Sequence, residues 1–158
     1  MNPLVAIFKL NDYSPNCFAV RIPEYPVVCK ILVVEDEALQ GLNIMATLRR
    51  AGIEAVGPYP TVSGALAAVE GRTFDAALLD INLNGVPGFD VAATLRRKGI
   101  PFAFVTAYER TLPEEFRSVP VISKPYHEQE LLSVACGLLG MAQPKGPSPG
   151  NHTTVPDR

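Results

Sequence analysis

The chain has 158 residues, of which 47% are hydrophobic and 19% are charged, and its net charge is −2. These values predict one globular domain of about 110 residues with terminal extensions. The charge and the lack of a basic stripe argue against nucleic acid as a partner, and no apolar run reaches the ~18–20 residues that cross a bilayer. Three scattered cysteines, Cys17, Cys29 and Cys136, form neither a metal-ligand spacing nor a disulfide framework, which favours a reducing compartment. We expect no secretory signal either, and we predict a cytoplasmic protein without a membrane partner.

The two ends of the chain differ from its centre in composition. Residues 1–28 contain four prolines and are predicted to be an N-terminal extension, either flexible or contributing a strand over Leu4 to Leu10. Residues 141–158 are rich in proline and glycine and are predicted to be a disordered tail. The folded domain is therefore placed at residues 29–140.

Within this domain, short apolar runs alternate with segments of helical spacing. In chain order we predict a strand at 30–34, a helix at 37–50, a strand at 53–56 ended by Gly57-Pro58, a helix at 62–70, a strand at 74–80, a turn at 84–88, a helix at 89–98, a strand at 101–105, a weakly helical segment at 112–118, a strand at 119–123 and a helix at 127–139. The predicted apolar positions of the first helix are Leu39, Leu42, Ile44, Met45 and Leu48.

Five strands alternating with about five helices indicate an α/β fold, a doubly wound parallel sheet of five strands with helices on both faces. Four of these strands end at a polar residue or directly before one. Glu35-Asp36-Glu37 follow the first strand, Asp80 the third, Thr106 the fourth and Lys124 the fifth. Because the carboxyl ends of parallel strands meet at one edge of the sheet, these side chains are expected in one crevice.

Carboxylates, a hydroxyl and an ammonium group in one crevice suit phosphoryl transfer to an aspartate. Asp80 would be the nucleophile that forms an acyl phosphate. Glu35 and Asp36, together with Asp80 and the backbone carbonyl of Asn82, would supply the hard oxygen ligands that Mg²⁺ prefers. Lys124 would offer a positive charge, and Thr106 a hydroxyl donor, to the phosphoryl oxygens.

Each of these residues has an ordinary structural explanation when it is taken alone. The acidic run could be the charged first turn of a helix, Asp80 could be a cap, and Lys124 could be a solvated loop residue. Thr106 could be a satisfied hydroxyl at a strand end. Their joint spacing is what favours a functional site.

Residues ~29–140 resemble the receiver domain of bacterial two-component response regulators. The resemblance rests on four motifs in the right order, which are Lys30-Ile-Leu-Val-Val-Glu-Asp-Glu37, Leu79-Asp-Ile-Asn-Leu83, Val105-Thr-Ala-Tyr108 and Ser123-Lys-Pro-Tyr126. It implies the flavodoxin-like receiver topology, with Asp80 as the phosphorylated aspartate, Glu35 and Asp36 as the acidic pair for Mg²⁺, Thr106 as the switch hydroxyl and Lys124 as the phosphate-contacting lysine. The family's Lys-Pro bond at this place is frequently cis.

The chain departs from the family pattern at three positions. Glu35 stands where the acidic pair usually has its first aspartate, a common variant that keeps the charge. Asn84 stands where the loop after the phosphorylated aspartate usually has proline, and Val121 stands where many members have a switch aromatic residue. Tyr108 is expected to flank the site and to shield the acyl phosphate from water. The acceptor chemistry is therefore expected to be intact, while the readout of phosphorylation is expected to be atypical.

The resemblance implies a phosphoprotein that accepts phosphate from a histidine kinase or a histidine phosphotransferase and then binds an unknown output protein or relays the phosphate. We expect a single-domain response regulator, because little chain follows residue 140. It would catalyse only its own phosphorylation and dephosphorylation. A homodimer through the face of the fourth and fifth helices is a further expectation.

Two other functions compete with this interpretation. A phosphatase of the haloacid dehalogenase type also uses a strand-end aspartate and Mg²⁺, but it needs a second aspartate where this chain has Asn82. A receiver-like interaction module that is never phosphorylated is the other alternative. The presence of Asp36, Asp80, Thr106 and Lys124 argues against that module.

Overall fold

The computed structural model describes residues 28–107 and 112–141. The predictions for residues 1–27, for Tyr108 and for residues 142–158 lie outside the described residues and stay predictions. Within the described parts, the elements in chain order are β1 Lys30–Val34, α1 Ala38–Arg50, β2 Glu54–Tyr59, α2 Val62–Gly71, β3 Ala76–Leu79, β4 Asn82–Leu83, β5 Val86–Pro87, α3 Phe89–Arg97, β6 Phe102–Thr106, a 3₁₀ helix Glu114–Phe116, β7 Val121–Ser123 and α4 Glu128–Leu138. No helix among these residues is long and apolar enough to span a membrane.

The main sheet has five parallel strands in the order β2-β1-β3-β6-β7, which confirms the predicted architecture. The chain moves outward from β1 to β2, then returns past β1 to β3 and continues in the other direction. In such a doubly wound sheet the crevice outside the carboxyl ends of β1 and β3 is the place where ligands bind. The fold therefore sets Glu35 and Asp80, which follow these two strands, side by side.

Two layers of core cover the two faces of the sheet. Leu32 and Val34 of β1 belong to the layer under α2 and α3, whereas Ile31 and Val33 belong to the layer under α1 and α4. This alternation follows from the two-residue period of a strand. All four side chains are at most 1% exposed, as expected for a central strand of a parallel sheet.

The prediction that Gly57-Pro58 ends the second strand was wrong. Strand β2 continues to Tyr59, and its pairing with β1 shifts register after Leu32. Gly57 has a φ of 120° and a side chain at this position would meet the Val33 carbonyl oxygen at 2.6 Å, so glycine allows the irregularity that keeps the strand paired. The Glu35 N–H then donates to the Tyr59 carbonyl at 3.1 Å, which ties β2 to the beginning of the site.

Two apolar positions predicted for the first helix do not reach the core. Leu39 is 78% exposed and Leu42 is 54% exposed, while Ile44, Met45 and Leu48 are buried. Helix α1 contacts the sheet through one narrow stripe, and Leu39 and Leu42 lie outside it. The helix begins at Ala38, one residue after the predicted start.

The segment between β6 and β7 contains the 3₁₀ helix in its described part, in agreement with the weak helical character predicted there. Phe116 of this helix is 1% exposed and stacks on Phe89 at a centroid distance of 5.9 Å. It also meets Phe104 edge to face at 5.8 Å. This aromatic cluster anchors the segment to the sheet, although the described part of the segment contains just this one short helix.

Candidate functional site

The sheet brings five of the predicted site residues together at its carboxyl edge, which are Glu35, Asp36, Asp80, Thr106 and Lys124. Glu35 is 1% exposed, Asp80 is 7% exposed and Thr106 is fully buried. Lys124 follows β7 and is connected to the end of β6, because its backbone N–H donates to the Thr106 carbonyl at 2.9 Å. Buried charged and polar groups of this kind require partners, since removing a charge from water is costly without one.

Lys124 supplies the partner for both buried carboxylates. Its Nζ donates to Asp80 Oδ2 at 2.6 Å and to Glu35 Oε2 at 2.7 Å. Charge-assisted hydrogen bonds of this length are among the stronger polar contacts in proteins. The ammonium group therefore connects the ends of β1 and β3 to the end of β7. The Lys124-Pro125 peptide bond is cis.

The electrostatic environment changes the pKa of two of these groups. Burial raises the pKa of Glu35 above its ordinary value of 4.5, and the Asp80 charge adds to this effect, although Lys124 opposes it. Burial alone would lower the pKa of Lys124. Its hydrogen bonds and charge contacts with Asp80 and Glu35 outweigh burial, so that the pKa of Lys124 is raised.

Glu35, Asp36 and Asp80 form an acidic cluster. One carboxylate oxygen from each residue can be chosen so that all three oxygens lie within 4.8 Å of one another. A set of hard oxygen donors at this separation fits Mg²⁺, which is bound in proteins by one or two carboxylates and several waters. The donor chemistry thus agrees with the cation that the sequence predicts.

The remaining predicted site residues differ in their placement. Asn82 begins β4, and its backbone N–H donates to Asp80 Oδ1 at 3.2 Å. Val121 is half-buried on β7 and pairs with Phe104 of β6, so it lies below the site rather than in it. Tyr108 lies outside the described residues.

Two groups of residues near the site were missed by the sequence analysis. One is the β4–β5 hairpin, of which only a turn at 84–88 was predicted and whose Asn84 backbone N–H donates to Asp36 Oδ2 at 3.0 Å. Its signal was the Asn84-Gly85 pair, which is typical of a two-residue hairpin turn. The other is a polar stripe on α1 at helical spacing, formed by Gln40, Asn43, Thr47 and Arg50.

This polar stripe borders an open cleft of about 760 Å³ that contains the site. The cleft runs from the acidic cluster along α1 to the start of α4, where Arg50 pairs with Glu128. Its lining residues are Asp36, Glu37, Gln40, Asn43, Thr47, Arg50, Asp80, Asn82, Ala107, Lys124, Pro125, Tyr126 and Glu128. The site is thus open to solvent on the α1 side.

A doubly wound sheet that carries an acidic cluster and a bridging lysine at its carboxyl edge defines the class of receiver domains. Comparison with known proteins supports this class directly. The family model described as "Response regulator receiver domain" matches residues 31–135. The chain belongs to the response regulator receiver domain family.

Two curated relatives match about two thirds of this chain. The chain is 36% identical over 110 residues to the sensory transduction protein RegX3 of Mycolicibacterium smegmatis, covering 65% of this chain and 47% of that protein. It is 35% identical over 113 residues to the transcriptional regulatory protein TcrA of Mycobacterium tuberculosis, covering 66% of this chain and 43% of that protein. The match spans less than half the length of these relatives.

Solved structures show the same fold. SdrG from Sphingomonas melonis Fr1 is 37% identical with a TM-score of 0.64, covering 71% of this chain and 97% of that one. The receiver domain of the PhyR response regulator of Erythrobacter litoralis is 26% identical with a TM-score of 0.64, covering 77% of this chain and 95% of that one.

Proposed function

We propose that this protein is a phosphoacceptor switch in which Asp80 receives a phosphoryl group from a phosphorylated histidine. The observation that carries the proposal is the position of Lys124, whose Nζ bridges Asp80 at 2.6 Å and Glu35 at 2.7 Å. Phosphoryl transfer requires a nucleophile and positive charge around the transferred group. Asp80 would be the nucleophile, and Lys124 together with a cation held by the acidic cluster would supply the positive charge.

The transfer forms one bond and breaks another. A carboxylate oxygen of Asp80 bonds to phosphorus while the phosphorus–nitrogen bond of the donor imidazole breaks, and the imidazole retains the electron pair and takes up a proton. Glu35, Asp36 and the Asn82 carbonyl would hold Mg²⁺, which when bound neutralises charge on the phosphoryl oxygens. The Lys124 ammonium group, which pairs with the Asp80 carboxylate before the transfer, would contact a phosphoryl oxygen after it. Thr106 would donate its hydroxyl to another phosphoryl oxygen.

The histidine donor is proposed to approach across α1. Leu39 and Leu42 are 78% and 54% exposed, and they lie on the helix that borders the cleft. Exposed leucines beside an acceptor site fit an apolar helix surface of a histidine kinase or a histidine phosphotransferase. The donor histidine has to reach Asp80 through the cleft that α1 borders, and the proposed contact area therefore includes the exposed leucines of this helix.

The output is proposed to be a change in the binding of a partner protein in the cytoplasm. Phosphorylation would bias the β6 and β7 ends around Thr106 and Lys124 toward a second arrangement. Val121 stands at the position of the family's switch aromatic residue, so no aromatic side chain at this position can change its orientation on phosphorylation. Tyr108 is proposed to limit access of water to the acyl phosphate. A homodimer through the 3₁₀ helix and α4 is the corresponding self-association.

Intact-mass spectrometry after incubation with phosphoramidate and Mg²⁺ tests the acceptor. We expect a mass gain of one phosphoryl group in the wild type and none in Asp80→Asn. Asp75→Asn is the matched control, because Asp75 is an exposed carboxylate at the opposite end of the same strand region, and it should be labelled like the wild type. Failure of the wild type to gain mass, under conditions that label another receiver, would contradict the proposal.

The donor surface is tested with a phosphorylated histidine phosphotransferase that labels the wild type. Leu39→Arg should slow transfer from this protein at least about tenfold, because it introduces an unpaired charge into the apolar contact. Labelling by phosphoramidate should be unchanged, since the small donor needs no docking. Equal transfer to the variant and to the wild type would exclude Leu39 from the contact.

A further inference from the structure

The loop after Asp80 is folded into a hairpin of defined geometry. Strands β4 and β5 pair in antiparallel fashion, with Asn82 opposite Pro87 and Leu83 opposite Val86. The two turn residues, Asn84 and Gly85, both have positive φ angles, 55° and 81°. This combination is the two-residue turn for which the Asn-Gly pair is preferred, because both residues tolerate positive φ.

The hairpin directs two backbone N–H groups at the acidic cluster. The Asn82 N–H donates to Asp80 Oδ1 at 3.2 Å, and the Asn84 N–H donates to Asp36 Oδ2 at 3.0 Å. Asp36 is partly exposed, and a carboxylate in that environment can rotate unless a fixed donor holds it. The orientation of Asp36 toward Glu35 and Asp80 therefore depends on where the hairpin holds its turn.

Three contacts fix the turn. The Asn84 side-chain amide donates to the Pro60 carbonyl at 3.0 Å, and Pro60 lies in the connection between β2 and α2. The Gly85 N–H donates to the Asn82 side-chain oxygen at 3.0 Å. Leu83 is 2% exposed and packs into the core under α2 and α3. Of these three contacts, the hydrogen bond from the Asn84 side chain is the one that links the turn to the β2–α2 connection. It does so at the residue whose backbone N–H donates to Asp36.

We propose that Asn84 is a positioning residue for the cation site. The hydrogen bond from its side chain to the Pro60 carbonyl fixes the position of its backbone N–H, which donates to Asp36. This second hydrogen bond keeps the Asp36 carboxylate directed at Glu35 and Asp80. Asparagine suits the position because it combines tolerance of positive φ with a side-chain amide donor. The inference rests on the proposed function, which supplies the cation.

The consequence is a defined difference between substitutions at this position. Asn84→Gly keeps the positive φ and the backbone N–H but loses the bond to Pro60. Asn84→Ala loses that bond and also opposes the φ of 55°. We expect Asn84→Gly to weaken Mn²⁺ and Mg²⁺ binding about two- to tenfold, the range that one net hydrogen bond supplies, and Asn84→Ala to weaken it further.

Isothermal titration calorimetry of the full chain with Mn²⁺ and with Mg²⁺ measures these affinities without phosphorylation. Arg72→Gly is the matched control, because Arg72 also has a positive φ of 42° and precedes β3, at the end of the strand away from Asp80. It should bind both cations like the wild type. Thermal unfolding in EDTA is recorded for each variant, and only variants with a cooperative transition are compared.

Each outcome supports or overturns the inference. Weaker binding by Asn84→Gly, with Arg72→Gly unchanged, supports it. Wild-type affinity in Asn84→Gly overturns it, as does an equal loss in Arg72→Gly. If Asn84→Ala does not fold, Asn84→Gly alone decides. Absence of cation binding by the wild type, or unchanged binding by Asp36→Asn, instead contradicts the proposed function, so the two failures are distinguishable.

Discussion

Replacing Lys124 with methionine removes the positive charge between two buried carboxylates while keeping a side chain of similar length. The side chains of Glu35 and Asp80 are 1% and 9% exposed, and both lie within 2.7 Å of Lys124 Nζ. Loss of one partner from a buried ion pair costs about 3–5 kcal/mol, because the other charge stays desolvated. Since the Lys124 side chain is 14% exposed and water screens it in part, we expect Lys124→Met to lower the free energy of unfolding by about 3 kcal/mol, at the lower end of this range.

Urea unfolding followed by circular dichroism at neutral pH in EDTA measures this change. Two further arms identify its cause. Adding Asp80→Asn to Lys124→Met removes one of the uncompensated carboxylates and should restore at least about 1 kcal/mol. Adding Mg²⁺ at ten times its Kd should stabilise the variant by about 1.4 kcal/mol, because the cation binds the native state alone.

A Lys124→Met variant whose free energy of unfolding lies within about 0.5 kcal/mol of the wild type, the usual effect of a surface substitution, would refute a compensating role for Lys124. Equal stability of the single and double variants would also contradict it. In that case the lysine would not compensate the carboxylates, and water would have to reach them.

The other predictions concern pH and packing. Because the pKa of Glu35 is raised, the native state binds more protons than the unfolded chain above pH 4.5, so the free energy of unfolding should fall as pH rises from that value through the higher native pKa. Glu35→Gln should remove that part of the slope in urea titrations from about pH 4 to about pH 8; an unchanged slope would assign it to other groups. Gly41→Ala should destabilise by about 1–3 kcal/mol, because the new Cβ would meet Pro58 Cβ at 2.7 Å, whereas Gly137→Ala, with nothing within 4 Å, should stabilise α4 by up to about 1 kcal/mol. Phe116→Ala should cost about 3–5 kcal/mol through loss of aromatic contacts, and a smaller loss by thermal or urea unfolding would show that the 3₁₀ segment packs only weakly.

The sequence predicted the sheet well because burial on both faces produces a strong local signal. Strands β1 and β6 appear in the sequence as continuous apolar runs, and both were placed within one residue of their observed bounds. Strand β2 was cut short because Gly57-Pro58 is a good turn signal. Only the pairing of β2 with β1 across an irregular register overrode that signal.

The error in the predicted buried positions of α1 had a different cause. Helical spacing identifies which residues share a face, but it does not fix how wide a stripe the sheet covers. Leu39 and Leu42 fit the pattern and are exposed, because the buried side of α1 consists of Gly41, Ile44, Met45, Thr47 and Leu48. The sequence therefore overestimated the core and missed a surface beside the cleft.

The sequence by itself determined which chemical groups follow which strand, because the order of strands and polar residues is a property of the chain. It thereby predicted that Asp80, Glu35, Asp36, Thr106 and Lys124 would share one edge of a parallel sheet. Only the tertiary structure decided how they interact: that Lys124 bridges two buried carboxylates, and that a hairpin turn holds the third. Those contacts join residues 44 to 89 positions apart, and their distances depend on how the separate strand ends and loops are packed, which no local pattern in the sequence specifies.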